Sequence, residues 1–186
     1  MFDRIQIKAA AKEQIKGNIG VLFLCFIVIG LLGSFTMGIA TPALGIGSIL
    51  IYLALVNGKK PSVEDTTSGF SLFGKALWLA IITGFFTMLW SFLFCIPGII
   101  KSYSYRLAPY ILAETPSMTA REALNESKRI TTGAKMDLFV MDLSFLGWGL
   151  LCSITAGLAL IYVYPYMQAA NANAYLALKA KGDAAN

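Results

Sequence analysis

The chain has 186 residues, of which 57% are hydrophobic and 13% are charged, and its formal net charge is +5. A soluble domain carries about 25% charged and about 45–50% apolar residues, so this composition disfavours an ordinary soluble globule. Intrinsic disorder is excluded because disordered chains have low hydrophobicity. The composition therefore predicts an integral membrane protein, built as a single domain over residues 1–186.

The first predicted helix is amphipathic and precedes the membrane. Phe2, Ile5 and Ala9 lie near one face, and basic residues occupy the rest. The apolar run that follows, Ile19–Ala40, is longer than the apolar core of a secretory signal, which spans about 7–15 residues. We therefore expect no signal peptide and a first membrane helix that is retained.

Apolar runs of spanning length recur along the chain, and each ends at a charge-free break that contains Gly or Pro. These runs are Ile19–Ala40, Ala76–Ile96 and Met136–Thr155. The further apolar runs that follow the breaks are Pro42–Val56, Gly98–Ala113 and Leu158–Leu178. Because the runs are long and do not alternate with period two, they predict helices. We expect an all-α membrane protein with six transmembrane helices in three hairpins. Whether the short second and fourth helices cross completely is left open.

The basic residues orient this arrangement. With a cytoplasmic N-terminus, 13 of the 15 Lys and Arg residues fall in cytoplasmic segments, as the positive-inside rule requires. A four-span alternative would export the cluster between Arg121 and Lys135. We therefore predict a multi-pass protein of the cytoplasmic membrane with both termini in the cytoplasm.

The hairpins resemble one another in sequence. The stretch Gly30–Ala40 matches Gly149–Ala159 at seven of eleven positions without a gap. A glycine precedes the first helix of each hairpin, namely Gly17, Gly74 and Gly133. We interpret this as a parallel pseudo-repeat, and chance similarity among residues common in membrane helices is the alternative. The predicted units are residues 1–57, 58–115 and 116–186.

A second amphipathic helix is predicted between Thr119 and Thr132. It begins with a capping box, Thr119-Ala-Arg-Glu122, and Gly133 is placed to end it. Its apolar or small face comprises Ala120, Ala123, Leu124, Ser127 and Ile130. We expect both amphipathic helices to be interfacial, with basic residues that contact anionic lipid headgroups. These residues are Lys8, Lys12, Lys16, Arg121, Lys128 and Arg129. Packing of both helices on the bundle is a compatible alternative.

Groups for catalysis and for cofactor binding are scarce. The chain has no histidine, which excludes every mechanism that needs an imidazole. Its cysteines, Cys25, Cys95 and Cys152, are isolated within apolar runs and lack metal-ligand spacing. We therefore expect no enzyme, no cofactor and no metal site, although carboxylate chemistry stays open.

Three charged residues fall inside the predicted membrane helices, where charges are costly and usually functional. Lys101 and Arg106 lie in the fourth predicted span, and Asp142 lies in the fifth. From the helical rise, Arg106 and Asp142 reach similar depths, about 12 Å and about 10 Å from the cytoplasmic ends. We predict an ion pair between them, either as a clasp that fixes packing or as part of a polar pathway. Lys101 lies near the outer turn and is expected to snorkel.

A second polar set could line a small cavity that opens to the cytoplasm. Its members are Gln168, Asn171, Asn173 and Tyr105. Pro165 and Pro109 are expected to kink their helices nearby and to free backbone carbonyls. Interhelical hydrogen bonds made by the same amides are the alternative.

Several segments together form a specific pattern. They are Ala10–Asn18, Cys95–Glu114, Thr119–Leu124, Asp142–Trp148 and Tyr164–Ala169. The pattern resembles the bacterial integral membrane family of unknown function called DUF975. More distantly it resembles the membrane module that accompanies some glycerophosphodiester phosphodiesterases. The resemblance implies a six-helix bacterial membrane protein without an assigned biochemical role. The catalytic domain of those enzymes is absent from this sequence, so their activity is not implied.

Three functions fit these features. The first is a membrane protein without catalytic activity that acts by interaction with lipids or with an envelope protein. Its expected partners are membrane lipids and either an envelope protein or further copies of the chain in a homo-oligomer. The second is a small transporter or channel with a polar pathway near Arg106 and Asp142. The third is a membrane accessory subunit of a lipid- or peptide-handling system. No nucleic-acid partner is expected, because the distribution of the basic residues is explained by the positive-inside rule.

Overall fold

The structure, a computed structural model, describes residues 3–93, 95–155 and 157–183. Every regular element in these ranges is a helix, which confirms the all-α class. The elements are α1 (Arg4–Ile15), α2 (Ile19–Phe35), α3 (Thr41–Val56), α4 (Asp65–Ser68), a 3-10 turn (Gly69–Leu72), α5 (Phe73–Leu93), α6 (Cys95–Tyr105), α7 (Ala108–Glu114), α8 (Ala120–Thr131), α9 (Lys135–Leu143), α10 (Leu146–Ile154) and α11 (Leu160–Asp183).

Two helical stretches are long and apolar enough to cross a membrane. They are Asp65–Leu89, which runs from α4 into α5, and Lys135–Ile154, which joins α9 and α10. A third arises if α1 and α2, which are bent by 92° at the break between them, count as one span. The apolar helix α3 is shorter, with 16 residues. Among the described residues, length and apolar character therefore identify two or three of the six predicted spans.

The fourth predicted span, Gly98–Ala113, is interrupted. Helix α6 ends at Tyr105, and α7 begins at Ala108 with Pro109 in its first turn. A proline ring clashes with the carbonyl four residues earlier, here that of Tyr105, and it offers no amide to continue the helix. The kink predicted at Pro109 is thus a complete break, and it leaves Arg106 in the connection. Helix α11, in contrast, continues through Pro165.

Helix α11 lies at the centre of the bundle. It contacts α1, α2, α3, α8 and α10. Its buried face includes Ala169, Ala170, Ala172 and Ala174, whose small side chains let neighbouring helices approach closely. Helix α2 packs against α3, and α5 packs along α6. Helix α10 also contacts α11, and the grouping into three hairpins stays a prediction.

Helix α1 packs through a face that the sequence analysis did not select. Ile7 and Ile15 are buried against the bundle, where α1 contacts α11 and α3. Ile5 and Ala9 are exposed, so the predicted apolar stripe points away from the bundle. Phe2, the third member of that stripe, lies outside the described residues. The helix therefore has two shallow apolar stripes, and α11 covers the one that was missed.

Helix α8 has the predicted ends and the predicted apolar face. The Thr119 hydroxyl accepts from the Glu122 amide at 3.3 Å, and the Glu122 carboxylate accepts from the Thr119 amide at 2.7 Å, which confirms the capping box. Gly133 follows the helix with a φ of +79°. The buried residues include Ala120, Ala123, Leu124, Ser127 and Ile130. The apolar face of α8 thus packs on the bundle.

The two sequence stretches that match each other form the same turn. The hydroxyl of Thr36 donates to the carbonyl four residues earlier at 2.9 Å and accepts from the amide four residues later at 3.3 Å. The hydroxyl of Thr155 makes the same contacts at 2.8 and 3.1 Å. Gly38 and Gly157 occupy equivalent places with φ of +86° and +89°. The match therefore extends to the backbone, while the repeat over whole units stays a prediction.

The glycines that precede the hairpins behave differently from one another. Gly17 and Gly133 have φ of +81° and +79°. Gly74 lies inside α5. The middle unit therefore departs from the other two at its first helix.

Candidate functional site

A bidentate ion pair joins Arg106 to Asp142. The two terminal nitrogens of Arg106 donate to Asp142 Oδ2 at 2.5 Å and to Asp142 Oδ1 at 2.9 Å. The side chains of Arg106 and Asp142 are 24% and 33% exposed, respectively, so the pair is largely buried within the protein. Parallel hydrogen bonds of this kind are among the strongest that a carboxylate accepts. The predicted contact is present, and its functional role stays a prediction.

Two neutral side chains complete this polar cluster. The Tyr103 hydroxyl donates to Asp142 Oδ2 at 2.8 Å, and Arg106 Nη2 donates to Asn171 Oδ1 at 2.8 Å. The cluster of Tyr103, Arg106, Asp142 and Asn171 therefore ties α6, α9 and α11 together. Asn171 was predicted either to line a cavity or to make an interhelical hydrogen bond, and Tyr103 was not connected with the pair. The feature of the sequence that could have identified Asn171 is an amide side chain within a mostly apolar helix.

The break at Pro109 explains why Arg106 can reach its partner. Arg106 lies beyond the last residue of α6, so its side chain is not aligned with the face of either helix. Both oxygens of Asp142 accept hydrogen bonds within the cluster. The geometry suits a clasp. A cavity of about 370 Å³ opens beside it, lined by Ile99, Ser102, Tyr103, Arg106 and Asp142.

Lys101 is the third charged residue that was predicted to lie within the membrane. Lys101 lies on α6, near its middle, and its side chain is half-buried. It stays a candidate polar residue of the membrane region.

The four residues predicted to line one cavity serve different contacts. Asn171 accepts from Arg106, and the Asn173 amide donates to Gln14 Oε1 at 2.6 Å. Tyr105 is buried at a cavity between α5 and α8. Gln168 is half-buried on α11. The amides of Asn171 and Asn173 thus make interhelical hydrogen bonds, which was the alternative interpretation.

A second charged contact fastens α7 to α11, and the sequence analysis missed it. Lys179 Nζ lies 2.8 Å from Glu114 Oε2, and the Tyr175 hydroxyl donates to the same oxygen. Burial would raise the pKa of the Glu114 carboxyl, but the hydrogen bonds from Lys179 and Tyr175 outweigh burial and hold this pKa below its usual value. The carboxylate therefore stays charged at neutral pH.

Three of the basic residues predicted to contact lipid headgroups already have partners within the protein. Lys16 pairs with Glu13 at 2.6 Å, and Arg129 pairs with Glu126 at 2.6 Å. Arg129 also lies 3.8 Å from Asp183. Hydrogen bonds from Arg129 are the main reason that the pKa of Glu126 lies below its usual value. Lys8 donates to the Ser144 hydroxyl at 2.8 Å.

The other three predicted headgroup residues are exposed. Lys12 lies on the outer side of α1. Arg121 and Lys128 lie on α8 and line a cavity of about 560 Å³ together with Tyr105. Lys128 Nζ is 5.4 Å from the centre of the Tyr105 ring. Ion pairs thus neutralise Lys16 and Arg129, Lys8 has a neutral hydroxyl as its partner, and Lys12, Arg121 and Lys128 are exposed.

Within residues 3–93, 95–155 and 157–183, no group of three His, Cys, Asp or Glu side chains could hold a metal ion. The sulfur ligands are also dispersed, since Cys25 is buried as a free thiol on α2 and Cys152 is a free thiol on α10. Nothing in this part of the chain offers a preformed metal centre.

The fold defines an all-helical bundle in which two or three described helices are apolar enough for a membrane. Residues 94–182 match the family model of DUF975, which is described as a protein of unknown function. Over this range the chain is similar to that family, in agreement with the resemblance that its motifs indicated. The range contains the whole polar cluster and helix α8. No curated protein and no solved structure matches the chain. The distant resemblance to the membrane module of glycerophosphodiester phosphodiesterases gains no support and stays a prediction.

Proposed function

We propose that this chain is a multi-pass protein of the cytoplasmic membrane that acts without catalysis, by interaction with lipids or with an envelope protein. The proposal includes six membrane helices in three hairpins and a cytoplasmic location for both termini. It takes the Arg106–Asp142 pair as a clasp between helices.

The outward apolar surface of the helices is the observation that carries this proposal. In the most apolar part of Asp65–Leu89, only 11% is buried inside the protein. In the most apolar part of Lys135–Ile154, only 17% is buried. Large apolar side chains such as Met88, Leu150 and Ile154 are exposed. Soluble monomers rarely expose contiguous apolar patches larger than a few hundred Å². A lipid bilayer would cover this surface.

The interrupted fourth span is compatible with a crossing by α6 and α7 together. Leu107 is 1% exposed and Ala108 is fully buried, so the break between the two helices is enclosed by protein. Irregular backbone at membrane depth is tolerated when protein surrounds it. The charge of Arg106 at this break is matched by Asp142. These contacts support a broken span rather than a surface loop.

Cysteine labelling in intact cells tests the topology. In a chain whose native cysteines are replaced by serine, Met37→Cys should react with a membrane-impermeant maleimide from outside. Lys60→Cys should react only after the cells are permeabilised. Both positions are exposed, so accessibility within the protein does not limit the reaction. Labelling of both from the same side would contradict six spans, and release of the protein by alkaline carbonate would contradict membrane integration.

Transport is a second candidate, and the cavity of about 370 Å³ beside Arg106 and Asp142 favours it. A solute pathway through this cavity would depend on the charge of Asp142. Asp142→Asn should then abolish solute flux in proteoliposomes while the protein remains folded. If proteoliposomes that contain the wild-type protein show no more solute flux than vesicles without protein, transport is contradicted.

A further inference from the structure

A cavity of about 560 Å³ lies between helices α5 and α8 and has two chemically different walls. Helix α5 contributes apolar side chains, and helix α8 contributes polar and basic ones together with Leu124. Tyr105 of α6 also lines it, and its side chain is buried. Ligand sites commonly have volumes of about 300–1,000 Å³, so one headgroup fits this space.

The apolar wall is a stripe along α5. Trp78, Ile82 and Phe86 follow one another at intervals of four residues and therefore share one helix face. Trp78 is 58% exposed and Phe86 is 40% exposed. With the helical rise, the stripe extends for about 12 Å. This is an open apolar track, and the protein itself does not cover it.

The basic wall is formed by Arg121 and Lys128, which are separated by two helical turns and lie on the same side of α8. Asn125 lies between them, and Lys128 Nζ is 3.4 Å from Asn125 Oδ1. No carboxylate lines the described part of this cavity. Two cations that face one cavity without a carboxylate attract an anion.

The acidic residues of α8 are committed to other contacts. Glu122 accepts from the Thr119 amide in the capping box, and Glu126 is bound by Arg129. Hydrogen bonds from the backbone and the side chain of Thr119 lower the pKa of Glu122, so it stays charged while it caps the helix. Neither carboxylate lines the cavity. The contrast with Arg129, on the same helix, indicates a selective arrangement of charge.

We propose that this cavity binds one anionic phospholipid. The phosphate accepts hydrogen bonds from Arg121 and Lys128, as basic pockets on the cytoplasmic side of membrane helices do for anionic headgroups. One acyl chain lies along the stripe of Trp78, Ile82 and Phe86. The inference rests on the membrane location proposed above and deepens it, since it names the lipid class and the site.

Titration of the purified full-length protein tests this site. The protein, in a neutral detergent, is titrated with phosphatidylglycerol or with phosphatidylcholine of the same acyl chains, and bound lipid is counted by native mass spectrometry. We expect preferential binding of phosphatidylglycerol. The double variant Arg121→Gln/Lys128→Gln should weaken that binding at least about tenfold, because each basic residue contributes to attraction of anionic lipid.

Arg129→Gln is the matched control, because Arg129 lies on the same helix but is already paired with Glu126. It should leave phosphatidylglycerol binding within about twofold of the wild type, since a compensated charge attracts lipid weakly. Equal binding of the two lipids, or equal loss in the control and the double variant, would overturn the inference. So would full competition by inorganic phosphate at the same concentration, because the site would then recognise a free anion.

The two proposals fail in distinguishable ways. A protein that alkaline carbonate releases from membranes contradicts the membrane location itself. A protein that stays in the membrane but does not distinguish phosphatidylglycerol from phosphatidylcholine contradicts only the lipid site. A circular dichroism spectrum of the double variant that matches the wild type shows that lost binding does not come from unfolding.

Discussion

The turn after α2 and the turn after α10 share their hydrogen bonds, but the helices on either side are fastened by different means. Helix α3 of the first hairpin lies backbone to backbone against the segment that follows it. A Cβ added at Gly47 would lie 2.2 Å from the Thr66 carbonyl oxygen, and one added at Gly69 would lie 2.0 Å from that of Ala43. In the last hairpin, α9 and α11 are joined through the side chains of Asp142, Arg106 and Asn171.

The comparison shows that local sequence controls the turns, whereas tertiary contacts control how the helices are attached. A matching local sequence is sufficient for a matching turn, because the turn uses hydrogen bonds between residues no more than five positions apart. The attachment of the helices depends on what each one meets in space. Glycine permits a close backbone approach, whereas a larger separation leaves room for charged side chains.

The largest effect is expected from Gly47→Ala in the first hairpin. The new methyl group would overlap the Thr66 carbonyl, and backbone atoms cannot move aside as a flexible side chain can. We expect the free energy of unfolding to fall by about 3 kcal/mol, at the upper end of the usual cost of overpacking. Denaturant unfolding in detergent measures it. Gly45→Ala is the control, because it lies on the same helix with nothing within 4 Å of the added Cβ. Equal losses in the two variants would remove the close approach as the cause.

A smaller loss is expected from Asp142→Asn in the last hairpin. The change leaves the charge of Arg106 without its counter-charge in a largely buried place. We expect a loss of about 2 kcal/mol in unfolding free energy, less than for a fully buried pair because both side chains keep some exposure. Arg106→Gln in the same chain should restore part of the stability. Strictly additive effects of the two changes in a double-mutant cycle would contradict a direct interaction.

The turns themselves should respond alike to Gly38→Ala and Gly157→Ala. Both glycines have positive φ, which costs an alanine about 1 kcal/mol. We expect nearly equal decreases in unfolding free energy by thermal denaturation. Gly30→Ala and Gly149→Ala are matched controls at equivalent helical positions with open space around the added Cβ. A large difference between the two turn variants would break the structural equivalence of the turns.

Effects no larger than those of the turn glycines are expected from Thr36→Val and Thr155→Val. Each change removes a hydroxyl that bonds to backbone on both sides of the turn. The expected loss in unfolding free energy is about 1 kcal/mol for each, as for a typical hydrogen bond. Serine at the same positions should retain most of the stability. If serine is as destabilising as valine, the methyl group and not the hydroxyl is responsible.

Much of the local structure follows from local causes and was predictable. The capping box at Thr119, the glycine after α8 and the helix break at Pro109 each depend on a few neighbouring residues. The packed face of α1 was not predictable in the same way. Its alanine-rich sequence offers two weak apolar stripes, and the position of α11 selects Ile7 and Ile15.

The polar cluster was predictable in part. Arg106 and Asp142 are charges within apolar surroundings at similar depth, and such charges need partners. Tyr103 and Asn171 were not assigned to them, because hydroxyl and amide groups are common in membrane helices and nothing local identifies their partners. The contact of Glu114 with Lys179 was missed because the two residues lie on different helices, far apart in the sequence.

The amino-acid sequence alone specified an apolar all-helical chain, the ends of several helices, the repeated turn and the need of Arg106 for a carboxylate. These properties depend on composition or on neighbouring residues. The arrangement of the helices in space specified where the basic residues of α8 meet the rest of the protein. Arg129 pairs locally with Glu126, but Asp183 of α11 also lies near it, and Arg121 and Lys128 face the apolar stripe of α5. The contacts with α11 and α5 join helices that are distant along the chain, so no local pattern encodes them.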